Sequence, residues 1–182
     1  MKLKMIKNKI ILLISISLSA CLIFMIVCCN FLFSDEKLSI PRTNYDGNQL
    51  RLNGYYYHQN DDGRTRVMFL YRNGVLFSTR YYSSLDLNVI ESKMISDFDV
   101  LRKEKTRWGV FLIIDDKIKY EEWTTPTELV SVKKSAGYIE KDTIFHITEH
   151  FFTYNGEKYP VNEVWHFRQF SPKPDSTNVY IK

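Results

Sequence analysis

The sequence predicts a mainly β protein, an antiparallel up-and-down barrel of about eight strands with one helix in mid-chain. From residue 50 onward, aromatic and β-branched residues cluster in runs separated by turn-forming residues, which is typical of antiparallel strands. One interval between these runs places its apolar residues at helical spacing instead. A third observation, a hydrophobic segment at the N-terminus, predicts a membrane helix or an export signal ahead of the β domain.

The predicted strands follow one another along the chain as a meander. In chain order they cover residues 50–59, 66–72, 75–82, 108–114, 117–124, 128–140, 143–154 and 161–170, with a short ninth at 178–181. The Asn73-Gly74 pair between two apolar runs is the strongest hairpin signal, since both central residues of such a turn need positive φ. A long meander leaves exposed edges unless it closes, so a barrel is favoured. A β-sandwich or an open sheet packed on the helix is the alternative.

The helix is predicted between residues 85 and 105. Its apolar positions recur at steps of three and four residues, which places them on one face of a helix. These positions are Leu87, Ile90, Met94, Phe98 and Leu101. Asn88, with Glu91 three residues later, is the predicted N-terminal cap.

The N-terminal hydrophobic run extends over residues 10–33, and about 20 apolar residues are enough to span a bilayer as a helix. Four lysines precede the run, and the first acidic residues follow it. Because lysines stay on the cytoplasmic side, the rest of the chain is predicted to lie outside the cytoplasm, in the periplasm or at the cell surface. The sequence therefore divides into an anchor or signal at 1–34, a flexible tether at 35–49 and a barrel-like domain at 50–182.

Leu18-Ser19-Ala20-Cys21 resembles the bacterial lipobox, in which a leucine and two small residues precede a cysteine. The resemblance implies that Cys21 is lipidated and becomes a new N-terminus, so that membrane lipid is a partner of the protein. The chain stays apolar as far as Phe33, where a lipoprotein usually begins a polar tether. A cleaved lipoprotein and an uncleaved single-pass anchor both remain open.

The charge and the cysteines of the chain belong to its N-terminus. The formal net charge is +4, and all of this excess comes from the lysines of residues 1–34, which hold no acidic residue. Residues 35–182 hold 21 basic and 21 acidic residues, and such a neutral domain argues against nucleic-acid binding. All three cysteines also lie in the N-terminal segment, so the barrel-like domain has neither a disulfide nor a thiolate zinc site.

The predicted barrel also resembles the lipocalin-type (calycin) family. Gly54-Tyr55-Tyr56 opens the first strand, and Arg168 lies on a late strand. In that family a Gly-x-Trp on the first strand packs near an arginine from the last strands, and here Tyr56 stands where the family has tryptophan. The resemblance implies a lipocalin-like envelope lipoprotein that binds an apolar ligand.

Several residues are candidates for a ligand site. Aromatic side chains on strands can line a pocket, although they also pack across strands without any ligand. Two carboxylates in one cavity raise each other's pKa, and Glu149 and Glu163 are predicted to share the apolar side of the last two strands. The alternative is that both carboxylates reach water near the mouth of the barrel. The predicted ligand-binding residues are Tyr56, Phe69, Glu149 and Trp165.

A metal site is not predicted, and His146 with His166 is the only weak candidate. The two histidines are expected on the same polar face of neighbouring strands, with no carboxylate or cysteine at the spacing of a zinc site. No catalytic motif is present, so the protein is predicted to be neither an enzyme nor dependent on a cofactor. The predicted function is a membrane-tethered binding module for a small apolar or amphipathic ligand. The alternatives are an envelope structural or assembly protein that contacts a protein partner through its outer surface, and a hydrolase that uses Glu149 and Glu163.

Overall fold

The structure is a computed structural model of the chain and describes residues 36–125 and 130–182. The predicted anchor or signal and the lipidation of Cys21 lie outside the described residues. Within these two ranges, no helix has the length and apolar character needed to cross a membrane. Residues 36–182 form one compact unit.

Eight antiparallel strands in chain order form a closed barrel, in which the first strand pairs with both the second and the last. The strands are β1 Gly54–Gln59, β2 Thr65–Leu70, β3 Val75–Ser78, β4 Trp108–Ile114, β5 Lys117–Thr124, β6 Ser131–Lys141, β7 Ile144–Phe152 and β8 Glu157–Gln169. The predicted mainly β fold and its closure into a barrel are confirmed, and the sandwich alternative is wrong. The predicted ninth strand is also wrong, because residues 178–181 form no strand.

The predicted hairpin at Asn73-Gly74 joins β2 to β3. Tyr71 donates its N–H to the carbonyl of Val75 at 3.0 Å, and Gly74 donates to the carbonyl of Tyr71 at 3.0 Å. Only Gly74 has positive φ, at 76°, so the turn differs from the predicted type with two such residues. A side chain at Gly74 would place its Cβ 2.1 Å from the carbonyl oxygen of Thr43, which leaves room for glycine alone.

One α-helix, α1 Leu87–Leu101, follows β3, and a short 3-10 turn at Lys105–Arg107 leads into β4. The predicted stripe is confirmed, because Ile90, Met94 and Leu101 are buried against the outer face of the first four strands. The cap is two residues earlier than predicted. Asp86 accepts a hydrogen bond from the Asn88 N–H at 2.9 Å, which satisfies one of the free donors of the first turn.

Alternation along the strands separates two apolar clusters. The outward cluster lies between the sheet and α1 and includes Phe69 and Phe77. The inward cluster fills the inside of the barrel with Phe111, Phe145 and Trp165, each at most 1% exposed. Successive residues of a strand point to opposite faces, so one strand supplies both clusters.

The two ends of the barrel differ. The closed end carries the β2–β3 turn, and there Tyr45 is buried with its ring 5.8 Å from that of Phe111. The mouth end carries the loops that follow β1, β3, β5 and β7.

Residues 36–50 follow the outside of the barrel from the mouth end to the closed end. The segment begins with Glu36 beside Thr153 at the mouth end and reaches the β2–β3 turn, where Tyr45 donates its N–H to the Arg72 carbonyl at 2.7 Å. Residues 35–49 were predicted as a flexible tether, and their boundary with the barrel domain stays a prediction. In the structure, residues 36–49 contact the barrel, and Tyr45 closes one end of it.

Candidate functional site

A buried cluster of charged side chains lies inside the mouth end of the barrel. Arg66 on β2 and Glu122 on β5 point inward, because each continues the alternation of apolar inward residues on its strand. Lys133 on β6 points to the same side as Glu122, its partner in the register. The Arg66 Nη2 lies 2.6 Å from Glu122 Oε2, and the Lys133 Nζ lies 2.6 Å from Glu122 Oε1. The register of β5 with β6 sets Glu122 directly opposite Lys133.

Glu122 is the one carboxylate shared by these two cations. Its side chain is 2% exposed, and Ser78 on β3 also donates a hydrogen bond to it at 3.0 Å. Burial alone would raise the pKa of Glu122, but the charges of Arg66 and Lys133 hold this pKa well below its usual range. Burial and the nearby Arg66 lower the pKa of Lys133. Glu122 is therefore ionised at neutral pH although its side chain is buried.

A second polar group lies deeper, between β6, β7 and β8. His150 Nε2 is 3.0 Å from Glu163 Oε1, and the Ser135 hydroxyl is 2.9 Å from His150 Nδ1. The indole N–H of Trp165 donates to the other oxygen of Glu163 at 3.1 Å. Burial alone would raise the pKa of Glu163, but the His150 contact and the charges of Lys133 and Arg66 lower it to about 2.

The Tyr120 hydroxyl is buried between these two polar groups. Within the described part of the chain it makes no hydrogen bond of good geometry, although Ser135 lies close to it, and it is shielded from solvent. Burial and the charges of Glu122 and Glu163 raise the pKa of Tyr120 well above its usual value, so the phenol stays protonated. An unsatisfied buried hydroxyl is costly to stability, which makes it a feature that a bound molecule or an ordered water would satisfy.

The charged cluster opens into a pocket of about 380 Å³ at the mouth of the barrel. Small-molecule sites in proteins begin at roughly this size. Four cations and one carboxylate line the pocket, together with threonine hydroxyls and three aromatic rings. The cations are Arg66, Arg80, Arg107 and Lys133, and the rings are those of Tyr81, Trp123 and Phe152.

Two of these cations are held in place by a carboxylate outside the pocket lining. Glu104 accepts hydrogen bonds from Arg80 and from Arg107, the second at 2.9 Å. Burial alone would raise the pKa of Glu104, but its bonds with Arg107 and Arg80 lower it. A guanidinium carries five donors, so one carboxylate cannot use all the donors of two arginines. This pocket can therefore bind an anion while its aromatic rings contact a flat or apolar part of the same molecule.

The predicted ligand-binding residues are divided between the two faces of the barrel wall. Tyr56 and Trp165 lie inside and are buried, as predicted for residues of the interior. Phe69 points outward and packs between the sheet and α1, so it does not face the interior. Glu149 also points outward, where the Lys158 Nζ lies 3.0 Å from its carboxylate. None of the four lines the mouth pocket.

A β-bulge between Ile147 and Glu149 explains the misplacement of Glu149. The extra residue reverses the alternation along β7, so Glu149 points outward and His150 points inward. Glu163 lies inside as predicted, and the two carboxylates that the sequence predicted on one side are on opposite sides of the wall. The hydrolase hypothesis loses its geometric basis, because acid and base would have to face the same substrate.

His146 and His166 lie on the outer face, as the predicted register required. His146 Nε2 is 2.8 Å from Glu140 and its ring stacks on Tyr138 at 4.7 Å, whereas the ring of His166 lies 5.7 Å from that of Tyr57. The two histidines thus have different neighbours. Among residues 36–125 and 130–182, no group of three or more histidine, cysteine, aspartate or glutamate side chains could hold a metal ion.

Only some of the residues that carry the lipocalin resemblance lie together in the structure. Gly54 packs tightly against β8, where a Cβ would lie 2.0 Å from the Arg168 carbonyl oxygen. Tyr55 is opposite Arg168, and Arg168 bonds to Glu91 of α1 at 2.8 Å on the outer face. Tyr56 points to the inside instead, so the aromatic residue at the tryptophan position does not share a face with this arginine.

No family model matches the chain, and no curated protein or solved structure matches it. The closed barrel of eight antiparallel strands, with one α-helix among the residues that the structure describes, is consistent with a lipocalin-like fold.

Sequence reasoning missed the residues that form the charged cluster. The signal was present in the alternation pattern, because Arg66 shares the parity of the inward Met68 and Leu70, and Glu122 shares that of Ile118 and Tyr120. A charge that continues an inward apolar pattern is a candidate for a buried ion pair. The pattern does not reveal the partner of each charge, because the register between strands decides it.

Proposed function

We propose that the protein is a lipocalin-like binding module that takes a small amphipathic anion in the mouth pocket of its barrel. We further propose that its N-terminal segment holds it at a membrane outside the cytoplasm, as the sequence predicts. The observation that carries the ligand proposal is the lining of the pocket, where four cations and a single lining carboxylate, Glu122, lie next to three aromatic rings. Such a lining favours a molecule with a negative group and an apolar or flat part.

The interior of the barrel favours an amphipathic ligand over a wholly apolar one. The half nearest the closed end is filled by the protein's own side chains, among them Phe111, Phe145 and Trp165. The half nearest the mouth is lined by charged groups, and a wholly apolar ligand would keep water from their remaining hydrogen-bond donors without replacing it, at a high cost. A ligand with its negative group at the arginines and its apolar part against Trp123 and Phe152 avoids both problems.

The experiment is a fluorescence titration of residues 36–182 with anilinonaphthalene sulfonate, an aromatic sulfonate that brightens in apolar surroundings. We expect saturable binding at one site, weakened about tenfold or more by the Arg80→Met and Arg107→Met double substitution, since each arginine is a charge-assisted donor. The control is Arg42→Met with Arg51→Met, which removes two arginines that do not line the pocket. Circular dichroism of every variant confirms that the dye reports on folded protein. Equal affinity of both double variants would contradict the proposal.

The alternative is a structural or assembly protein of the envelope that acts through its outer surface. A groove of about 430 Å³ favours it, between the start of the segment 36–50 and the outer face of β5–β7, with Ile40 and Phe151 among its lining residues. This face is not covered by α1. A dye titration without saturable binding, together with co-purification of one defined envelope protein, would favour this alternative.

A further inference from the structure

The N-terminal end of the barrel domain is fixed at the rim of the mouth pocket. The Trp123 indole N–H donates to the Glu36 carbonyl at 2.8 Å, and the Glu36 carboxylate accepts from the Val132 N–H at 3.1 Å and from the Thr153 hydroxyl. Trp123 lines the mouth pocket, and Thr153 directly follows Phe152, which also lines it. The chain therefore joins the barrel domain beside the pocket and not at the closed end.

The loops of the mouth end and the start of β8 expose apolar and aromatic side chains. Tyr81 is 39% exposed, Tyr154 46% and Tyr159 37%, and Leu85 on the neighbouring loop is 55% exposed. Leu85 belongs to the same end, because its carbonyl accepts a hydrogen bond from Gln59 at the end of β1. Tyrosine and tryptophan are enriched where proteins meet the headgroup region of a membrane, since their rings are amphipathic.

The sequence limits how far Glu36 can lie from the end of the hydrophobic run. Glu36 is three residue steps beyond Phe33, and a fully extended chain gains at most about 3.6 Å per step, or about 11 Å in total. The headgroup region on each side of a bilayer core is about 5–8 Å thick. In both forms that the sequence leaves open, the apolar residues extend to Phe33, so a membrane that contains the run would keep Glu36 near its headgroups.

We propose that the mouth pocket binds the phosphate-bearing headgroup of an anionic lipid in the membrane that holds the chain. This inference rests on the proposed function and names its ligand class. The paired arginines Arg80 and Arg107 suit the phosphate, because planar guanidinium groups donate two parallel hydrogen bonds to phosphate oxygens. The exposed tyrosines of the rim suit the surrounding interface, and the acyl chains stay in the bilayer, since the inside of the barrel is already filled at its closed end.

The test is native mass spectrometry of the full chain released from nanodiscs made of equal parts of phosphatidylcholine and phosphatidylglycerol. We expect the released protein to retain phosphatidylglycerol in preference to phosphatidylcholine by about tenfold. The Arg80→Met and Arg107→Met double variant loses this preference, and the Arg42→Met and Arg51→Met variant keeps it. An Arg80→Lys and Arg107→Lys variant, which keeps the charge without the planar fork, is expected to retain an intermediate preference.

Two outcomes overturn the inference. Equal retention of both lipids by the wild type removes the headgroup site, and an unchanged preference in the Arg80→Met and Arg107→Met variant moves it away from the mouth pocket. In a competition experiment, inorganic phosphate is added before the protein is released from the nanodiscs. Loss of the bound lipid at phosphate concentrations comparable to the lipid concentration would identify free phosphate as the ligand instead. Dye binding to residues 36–182 is measured in parallel, so the absence of a lipid preference in the wild type together with intact dye binding contradicts this inference and leaves the proposed function standing.

Discussion

The two ends of the barrel are built from the same eight strands and have opposite chemistry. At the closed end, Tyr45 and Phe111 pack as part of an apolar cluster with almost no exposed surface. At the mouth end, Arg66, Glu122 and Lys133 occupy equivalent inward positions and are nearly as well buried. Burial of apolar side chains stabilises the fold. In a buried ion cluster, the attraction between the charges does little more than offset the cost of removing them from water.

Under the proposed function this contrast has a reason, because the polar groups of the mouth end would serve binding more than stability. Well-packed apolar residues in place of a buried ion cluster are often neutral or stabilising. The closed end shows that the barrel can fill its interior with apolar side chains, so charges at the mouth are not a requirement of the fold. The predictions below probe this difference between the ends, beginning with the largest expected effect.

Truncation of an aromatic ring in the closed half should have the largest effect on stability. Phe145→Ala removes a fully buried ring that stacks on Trp165 with centroids 5.8 Å apart. The lost burial and the cavity left behind are expected to lower the free energy of unfolding by about 3–5 kcal/mol in urea denaturation. The matched control is Phe152→Ala at the mouth, where the ring is only partly buried and the loss should be clearly smaller. Equal losses of unfolding free energy in Phe145→Ala and Phe152→Ala would contradict the difference between the two ends of the barrel.

The charged groups in the mouth half of the barrel should make the free energy of unfolding depend on pH. The pKa of Glu163 is about 2 in the folded protein against an ordinary value of 4.5, so the ionised form stabilises the fold. This contribution is complete above pH 4.5 and is lost as the pH falls toward 2, and it amounts to at most about 3 kcal/mol. Glu163→Gln should flatten the fall of unfolding free energy in this pH window, as followed by urea titrations at successive pH values. The lowered pKa of Glu122 leaves a residual slope. An unchanged curve would contradict the prediction.

The smallest effect is expected for the carboxylate that the bulge turns outward. Glu149→Gln removes an exposed ion pair with Lys158, and exposed pairs contribute little because water screens them. The unfolding free energy should change by less than about 0.5 kcal/mol at neutral pH, as measured by urea denaturation. A loss comparable to that of Glu163→Gln would mean that the two carboxylates share one environment, contrary to the structure.

Most elements of the fold could be predicted from local patterns. β4 and β5 have the bounds that the sequence indicated, and α1 buries the stripe that began at Leu87. Closure of the sheet was also predicted, because a meander of this length would otherwise expose two edges. These features depend on side-chain periodicity and turn residues, which are properties of short segments.

The residues of the mouth pocket were not predicted, and none of the predicted ligand-binding residues lines it. Tyr56 and Trp165 lie inside the barrel, and their role in ligand binding stays a prediction. Trp165 continues the alternation of Val161 and Phe167. Tyr56, in contrast, lies in the middle of three consecutive tyrosines, where alternation gives no signal. Glu149 was placed on the wrong face, since one extra residue in β7 reverses every side chain beyond it. His150 entered the interior for the same reason, and no local pattern marks the position of a bulge.

The sequence alone determined the class of the protein: a β meander with one amphipathic helix, behind a basic and hydrophobic N-terminal segment. Each of these follows from residue spacing within one segment. Tertiary structure decided which charges meet, because Arg66, Glu122 and Lys133 come from three strands that only register and closure bring together. It also decided that the chain joins the barrel at its mouth, through contacts between Glu36 and residues far along the chain. Contacts of this kind depend on the path of the whole chain.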